Sequence, residues 1–245
     1  KLALNNLEQV NGLIQDIAAG KHAHGTIEQK IGDIYNMAMD TARRDGEGIA
    51  PIHPSLDEIA AVSDRSQLSE LLGKAMEYGI WGMYVEADAM NSSMNILNEC
   101  QGGFALGEKE YYFDTDEATT RIRNEYRKHV ARMFSLFGYA DADAKAETVL
   151  RLETRLAGAA FNNVELRDPQ ANYNKMSVAE LQELVPQVDW KTYFAAMNIA
   201  PDSLSVGQVR HLQEAGKMLA EEPLEDLKTL FTWQAIDGCA SYLTS

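Results

Sequence analysis

The sequence predicts a mainly α-helical fold with one β-hairpin at about residues 80–101. Three observations lead to this prediction. Apolar residues recur at three- and four-residue steps along most of the chain, and Ser or Asp repeatedly stands three positions before Glu or Gln, as in a helix capping box. Only one stretch shows convincing alternation of large side chains. With 45% hydrophobic residues and only 6 prolines in 245 residues, the chain is expected to form a globular core.

The first quarter of the chain predicts two helices. The residues at helical spacing are, for the first helix, Leu4, Leu7, Val10, Ile14 and Ile17, and for the second, Ile27, Ile31, Ile34, Tyr35, Ala38 and Ala42. A break rich in Gly, Pro and His follows from Gly46 to Pro54. Ser55 and Glu58 then have the spacing of a capping box, which predicts a new helix, and a further helix is expected from about Ser66 to Tyr78.

The hairpin prediction comes from the region after Ile80. Large residues alternate with other types in Trp81–Glu86, turn chemistry follows in Asn91-Ser92-Ser93, and an extended pattern resumes at Ile96-Leu97. This is the only convincing strand signal in the chain.

The second half of the chain predicts four or more further helices. Asp114 and Glu117 have capping-box spacing before a helix that Gly138 ends, and another helix is expected over Asp141–Ala160, with Glu153 as the one charge in its apolar stripe. Capping boxes at Ser177–Glu180 and Ser205–Gln208 predict two more, again followed by apolar spacing. Near the end of the chain, Trp233 lies in a helical stripe and is expected to be buried.

The net charge excludes some partners. With 37 acidic and 22 basic residues the formal charge is -15, so nucleic-acid backbones and anionic membrane surfaces are repelled. No apolar run approaches the roughly 18 residues of a transmembrane helix. Cys100 and Cys239 are compatible with one disulfide bridge or with two free thiols, and buried free thiols are the favoured interpretation.

Several candidate sites have simpler structural explanations. His22 and His24 form an H-x-H pair that lacks further ligands nearby, so a solvated loop is preferred to a metal site. Asp114, Asp116 and Glu125 fall at positions 1, 3 and 12 of a calcium loop, but helix capping explains the same acids without calcium. No H-E-x-x-H, G-x-S-x-G or phosphate-binding glycine loop is present, and Gly102-Gly103 is interpreted as a turn. The sequence therefore assigns no catalytic, cofactor-binding or metal-binding residue.

The segment from Arg167 to Ser177 is interpreted as a connector between helices. Pro169 disfavours a helical conformation at Asp168, so an extended link is expected before the helix that Ser177 caps. Arg167 and Asp168 are available to fix this link by ion pairs or by bonds to backbone groups. Direct contact with a substrate is the alternative role.

This connector belongs to a set of motifs by which the chain resembles the N-terminal region of the neprilysin and endothelin-converting enzyme family of zinc metalloendopeptidases. The matching residues, spread over essentially residues 1–245, are Tyr84–Asp88 followed by Asn91–Ser93, Gln101–Gly103 with Leu106 and Tyr111-Tyr112, Arg167–Pro169, Tyr173–Ser177, and Leu227, Leu230 and Trp233. There are departures. Gly107 stands where the family usually has Pro, and the cysteines of the animal enzymes have no counterparts, which favours a bacterial member.

The resemblance implies that the zinc ligands and the catalytic Glu lie in the C-terminal half of a longer parent. Residues 1–245 are then expected to be a single N-terminal helical domain of the lid type, an inactive fragment that binds no zinc itself. Its expected partners are the catalytic domain of the same parent chain and peptide substrates, in a secreted, periplasmic or envelope-attached enzyme. A helical peptide- or protein-binding module with no enzymatic parent is the alternative, and a structural lid that mediates dimers is a third.

Overall fold

The computed structural model describes residues 2–75 and 78–244, and these contain twelve α-helices and four β-strands. The elements are α1 (Leu2–Ala19), α2 (Ile27–Met39), α3 (Thr41–Glu47), α4 (His53–Ala61), α5 (Leu68–Lys74), β1 (Trp81–Asp88), β2 (Asn91–Gln101), α6 (Glu110–Phe113), α7 (Glu117–Leu136), α8 (Ala142–Ala159), β3 (Asn174–Ser177), α9 (Val178–Leu184), α10 (Trp190–Ala196), β4 (Ser203–Val206), α11 (Val209–Glu221) and α12 (Leu224–Cys239). The predicted mainly helical fold with a hairpin is confirmed.

The chain divides into two compact units, of which the first comprises Lys1–Pro51 and Ala240–Ser245. In this unit α1 packs against α2 at Gly32, where a side chain would come within 3.5 Å of the Ala18 backbone. No residue of α1 is buried, and Leu7 is 66% exposed. The stripe expected to reach Ala42 is interrupted, because α2 ends at Met39 and a new helix, α3, starts at residue 41. The prediction of one continuous helix was wrong there.

The second unit, Ile52–Cys239, contains a four-stranded sheet with the order β1-β2-β4-β3. β1 and β2 form the predicted antiparallel hairpin, β2 pairs with β4 in parallel, and β3 pairs with β4 antiparallel. The expectation of a single hairpin was therefore incomplete. Ser205 lies in β4 and does not cap α11, whose first residue is Val209. The predicted Ser205–Gln208 capping box was wrong.

Other helix boundaries also differ from the sequence prediction. α4 begins at His53, two residues before Ser55, because Pro54 is well suited to a first helical turn. Asp116, not Asp114, caps α7, and its carboxylate accepts a hydrogen bond from the Thr119 backbone N–H. A 3-10 turn precedes α5, which ends at Lys74, and residues 76–77 of the helix expected there lie outside the described residues.

The core of the second unit lies among α7, α8, α11 and α12. Trp233 is 1% exposed, so its predicted burial is confirmed, and it packs beside Phe134 of α7 with ring centroids 6.3 Å apart. Gly138, with φ +85°, follows the end of α7 in the left-handed conformation that glycine adopts readily. The Ser177–Glu180 capping box of α9 is formed as predicted.

Candidate functional site

The second unit contains an open cavity of about 630 Å³. Its wall is formed by the start of β1, the loop after β2, the ends of α5 and α10, and the last turns of α12. Aromatic residues and glycines make up much of this wall, and its ionisable side chains, tyrosines apart, are the carboxyls of Glu153 and Asp237. The lining residues are Leu72, Gly73, Ala75, Tyr78–Met83, Gly103–Ala105, Glu153, Tyr193, Met197, Trp233, Gln234, Asp237 and Gly238.

Glu153 belongs to this wall but is itself fully buried. The hydroxyls of Tyr112 and Tyr126 each donate a 2.8 Å hydrogen bond to its carboxylate, and Trp233 Nε1 donates to the Tyr126 hydroxyl, also at 2.8 Å. Burial raises the pKa of Glu153 to about 7, and the two tyrosine hydrogen bonds oppose that shift. Burial also raises the pKa of Asp237 and of both tyrosines. The one charged residue in the α8 stripe is therefore the centre of a buried hydrogen-bond network.

A second buried carboxyl, Glu99, lies on β2. Neither of its carboxyl oxygens makes a hydrogen bond of good geometry to the described residues, and burial raises its pKa to about 8. On α11, buried His211 has its Nε2 atom 3.1 Å from the Gly102 carbonyl oxygen, and burial lowers the pKa of this imidazole to about 4. In both cases burial favours the uncharged form, which suits a structural interior.

The Arg167–Ser177 connector is held in place by polar contacts, as expected. Arg210 makes an ion pair of 2.7 Å with Glu165, and the Asn172 amide donates to the carbonyl oxygens of Glu165 and Asp168. The Asp168 carboxylate accepts from the Gln170 backbone N–H. Asp168 thus fixes the link by bonds to backbone groups, one of the two ways expected for it.

Arg167 does not take part in these contacts. Its side chain is exposed and makes no hydrogen bond or ion pair to the described residues, so the expectation that it fixes the connector was wrong. The salt bridge is made instead by Glu165, which lies two residues earlier. Nothing in the local sequence distinguishes these two positions, because the partner, Arg210, comes from α11.

The far end of the connector is tied to the hairpin through Asp88. The Tyr173 hydroxyl donates to this carboxylate at 2.7 Å, and Lys175 Nζ lies 2.8 Å from its second oxygen. The hydrogen bonds from Lys175 and Tyr173 and from the Met90 backbone lower the pKa of Asp88 to about 2. Two of the motifs that carry the family resemblance therefore contact one another directly.

A family model for peptidase family M13 matches residues 1–245. The chain belongs to peptidase family M13. The match is to the N-terminal region of the family, as the resemblance to the neprilysin and endothelin-converting enzymes predicted.

Relatives and solved structures agree with this assignment. Endothelin-converting enzyme-like 1 of Mus musculus is 23% identical over 241 residues, covering 90% of this chain and 31% of that protein. The Mycobacterium tuberculosis zinc metalloprotease Zmp1 is 31% identical. Its complex with an inhibitor matches with a TM-score of 0.89 over 97% of this chain and 37% of Zmp1, and its open state with 0.91 over 99% and 39%. The chain thus spans roughly a third of its relatives' length, and the bacterial neighbour accords with the expected bacterial affiliation.

The histidine pair and the acidic loop of this M13 chain do not form ligand sets. Among the described residues, no group of three or more His, Cys, Asp or Glu side chains is arranged to hold a metal ion. His22 Nε2 lies 2.8 Å from the Ile17 carbonyl oxygen, and Asp116 caps α7.

Within the described ranges, Cys100 and Cys239 form no disulfide bridge. No helix in the described part of the chain is both long and apolar enough to cross a membrane.

From the sequence, Glu153 was noted as the one charge in a helical stripe but was assigned no role, and Glu99 and His211 were missed. Glu153 was visible because it interrupts an otherwise apolar helical stripe. Glu99 occupies one of the alternate positions of β2 that face inward. Which positions face inward depends on the pairing of β2 with β4, and β4 was not recognised from the sequence. His211 carried no signal, because nothing in its local pattern distinguishes a buried imidazole from an exposed one.

Proposed function

We propose that this chain is the non-catalytic N-terminal part of a zinc-dependent metalloendopeptidase and completes and gates the substrate chamber of its parent. The observation that carries the proposal is the length of the match compared with the length of a relative. The family match covers all 245 residues, whereas the chain accounts for only 37–39% of the Zmp1 zinc metalloprotease. Most of the parent, including the part that binds zinc, is therefore expected outside this chain.

The chemistry of the described residues supports this division. The buried carboxyls Glu99 and Glu153 lie in separate surroundings, and neither is grouped with two further ligand side chains. A catalytic zinc site takes three protein ligands and leaves a position open for water. The residues present do not fit such a site, so the zinc of the parent is assigned to residues elsewhere, and this chain is proposed to be inactive alone.

The gating role is supported by the behaviour of Zmp1. That protein has been solved with an inhibitor and in an open state, and this chain resembles the corresponding part of both, with TM-scores of 0.89 and 0.91. By analogy, this chain is proposed to be one side of a chamber that opens and closes around peptides. Its proposed partners are accordingly the catalytic domain of the same parent and peptide substrates.

The proposal is tested by the coding sequence beyond Ser245 and by the enzyme that it encodes. The downstream sequence is expected to contain H-E-x-x-H and a later Glu ligand. The purified parent is expected to cleave a short quenched-fluorescence peptide and to spare a folded protein carrying the same cleavage sequence. An in-frame stop after Ser245 would instead favour a binding module with no enzymatic parent, and equal cleavage of both substrates would contradict the chamber role.

A further inference from the structure

The strand β1 forms one edge of the four-stranded sheet, since β2 is its neighbour on one side only. Its middle residues, 84–87, are exposed. An edge strand presents main-chain N–H and C=O groups that another extended chain can bind, and proteins usually cover or disrupt such edges. The bulge between Ala87 and Asp88 disturbs only the far end of this one.

The direction of the main-chain groups along this edge follows from the contacts of β2. The Gln101 backbone N–H donates to the Gln208 side chain at 2.7 Å, and the Glu99 carbonyl oxygen accepts from the Gly207 N–H at 2.9 Å. Both Gln208 and Gly207 lie directly after β4. The backbone polar groups of Glu99 and Gln101 therefore point to the β4 side and not to β1.

In an antiparallel pair, residues opposite one another alternate between hydrogen-bonded and non-hydrogen-bonded pairs. Trp81 is opposite Gln101 and Met83 is opposite Glu99, so both pairs are of the non-hydrogen-bonded kind. The N–H and C=O groups of Trp81 and Met83 consequently point away from β2, and the same alternation includes Val85. Among the described residues, no hydrogen bond reaches these groups. Trp81 is buried, so the groups of Met83 and Val85 are the part of this edge open to an added strand.

The first half of this edge borders the 630 Å³ cavity, which Trp81 and Met83 line. A cavity of this size is within the range that takes small ligands or side chains. Of its two carboxyl groups, Glu153 is fully buried and already accepts hydrogen bonds from two tyrosines, so Asp237 is the carboxyl that a ligand can reach. No Lys, Arg or His is among the lining residues. A carboxyl beside aromatic faces favours a cationic side chain with an apolar stem.

We propose that the β1 edge binds an extended peptide by strand addition, with an Arg or Lys side chain of the peptide in the adjoining cavity. Main-chain hydrogen bonds supply affinity in this mode, and the pocket beside the edge supplies selectivity. A second copy of the chain is a poorer occupant, because each copy carries a net charge of -15 and β1 itself contains Glu86 and Asp88. The proposal concerns this chain itself and does not depend on its proposed role in a peptidase.

Synthetic peptides test the main-chain contacts directly. The probe is acetyl-Thr-Val-Thr-Arg-Thr-Val-Thr-amide, titrated into the purified chain by calorimetry. One analogue carries N-methyl groups on the odd-numbered residues of the peptide, a second carries them on the even-numbered residues, and a third has Glu in place of Arg. One of the two N-methylated peptides is expected to bind about tenfold or more weakly, and the other to bind almost as well as the probe. The reason is that only alternate N–H groups of an added strand donate to the edge. The Glu analogue is expected not to bind.

A matched pair of chain variants tests the same edge from the protein side. Met83→Pro removes an outward N–H without removing a bond of the hairpin, and proline is tolerated at such edge positions. It is expected to weaken peptide binding about fivefold to tenfold, whereas Met83→Leu keeps the N–H and the affinity. Asp237→Asn is expected to reduce the preference for Arg over norleucine in the probe.

Three outcomes would overturn the proposal. The first is equal binding of the two N-methylated peptides, and it decides the matter even when Met83→Pro fails to fold. The second is unchanged affinity in a Met83→Pro variant with a normal melting curve. The third is binding by this chain but not by its longer parent, because the parent would then cover the edge with its own residues.

Discussion

The Tyr126 hydroxyl donates a 2.8 Å hydrogen bond to Glu153 and accepts one of 2.8 Å from Trp233 Nε1. One hydroxyl thus links α7, α8 and α12 around a carboxyl that is fully buried. Such a network stabilises a fold only while every member is satisfied, because an unpaired polar group in a low-dielectric interior is costly. The network therefore offers sensitive sites for mutation.

Tyr126→Phe is expected to destabilise the second unit by about 1–3 kcal/mol, since it leaves the Trp233 N–H and one Glu153 oxygen without a partner. It is also expected to raise the pKa of Glu153 further, because a hydrogen bond that favours the charged form is lost. Urea denaturation measures the first effect and carboxyl titration by NMR the second. Tyr84→Phe is the control, because that hydroxyl makes no hydrogen bond to the described residues.

The buried carboxyls predict that stability declines as pH rises from about 4.5 to about 8. Burial raises the pKa of Glu99 from its ordinary value of 4.5 to about 8 in the folded chain. Between these values the folded state keeps a proton that the unfolded state has lost, so the free energy of unfolding falls as pH rises, by up to about 1.4 kcal/mol per pH unit. Glu153 contributes in the same sense up to about pH 7.

His211 acts in the opposite sense but in a lower window. Its pKa falls from 6.5 to about 4, so its contribution to stability grows with pH across that range and is complete above it. Between pH 7 and 8 Glu99 is expected to contribute more of the slope than Glu153, whose pKa is lower. Glu99→Gln is expected to reduce the slope there, and the exposed control Glu86→Gln to retain it. A wild-type curve that is flat over this range would contradict the burial of an uncharged Glu99.

Arg210 is expected to stabilise the connector, and Arg167 is not. The Arg210 guanidinium pairs with Glu165, donates to the carbonyl oxygens of Ala159 and Ala160, and lies 4.5 Å from the ring centroid of Phe161. Arg210→Ala is expected to cost on the order of 1–2 kcal/mol, because it also removes the side-chain donor to the Ala159 carbonyl oxygen at the end of α8. Arg167→Ala should change stability by less than about 0.5 kcal/mol. Thermal unfolding of the two variants side by side measures the difference, and equal effects would show that the connector is held otherwise.

Trp233→Ala is expected to lower the free energy of unfolding by about 3–5 kcal/mol, because it removes a large buried side chain and leaves a cavity. Leu136→Ala is the matched control, since this leucine is 65% exposed at the end of α7. Chemical denaturation compares the two. A Trp233→Ala variant as stable as the control would mean that α12 does not pack against α7 and α8 in solution.

The sequence predicted those parts of the fold that have local causes. The α8 stripe, the hairpin and the Ser177 cap each depend on residues close together in the chain, and all three are confirmed. β4 was missed because its four residues pair only with distant segments, so that Ser205 and Gln208 looked like a helix cap. The Gln208 side chain instead accepts a hydrogen bond from the backbone N–H of Gln101, more than a hundred residues away.

The same reasoning explains what could be predicted about the candidate site. Glu153 was visible as a charge in an apolar stripe, but its partners Tyr112 and Tyr126 come from other helices and could not be assigned. The open edge of β1 depends on strand order, which needs β4 to be known. Local pattern thus predicted the elements, and their long-range pairing determined the site.

The most direct test of the central claim, that the chemistry of this M13 peptidase lies outside residues 1–245, is a joint assay of zinc and turnover. The purified chain is incubated with excess zinc and desalted, and bound metal is then measured beside hydrolysis of a quenched-fluorescence peptide. The account predicts far less than one zinc per chain and no hydrolysis above the buffer rate. One tightly bound zinc per chain, with hydrolysis that a chelator abolishes, would contradict it.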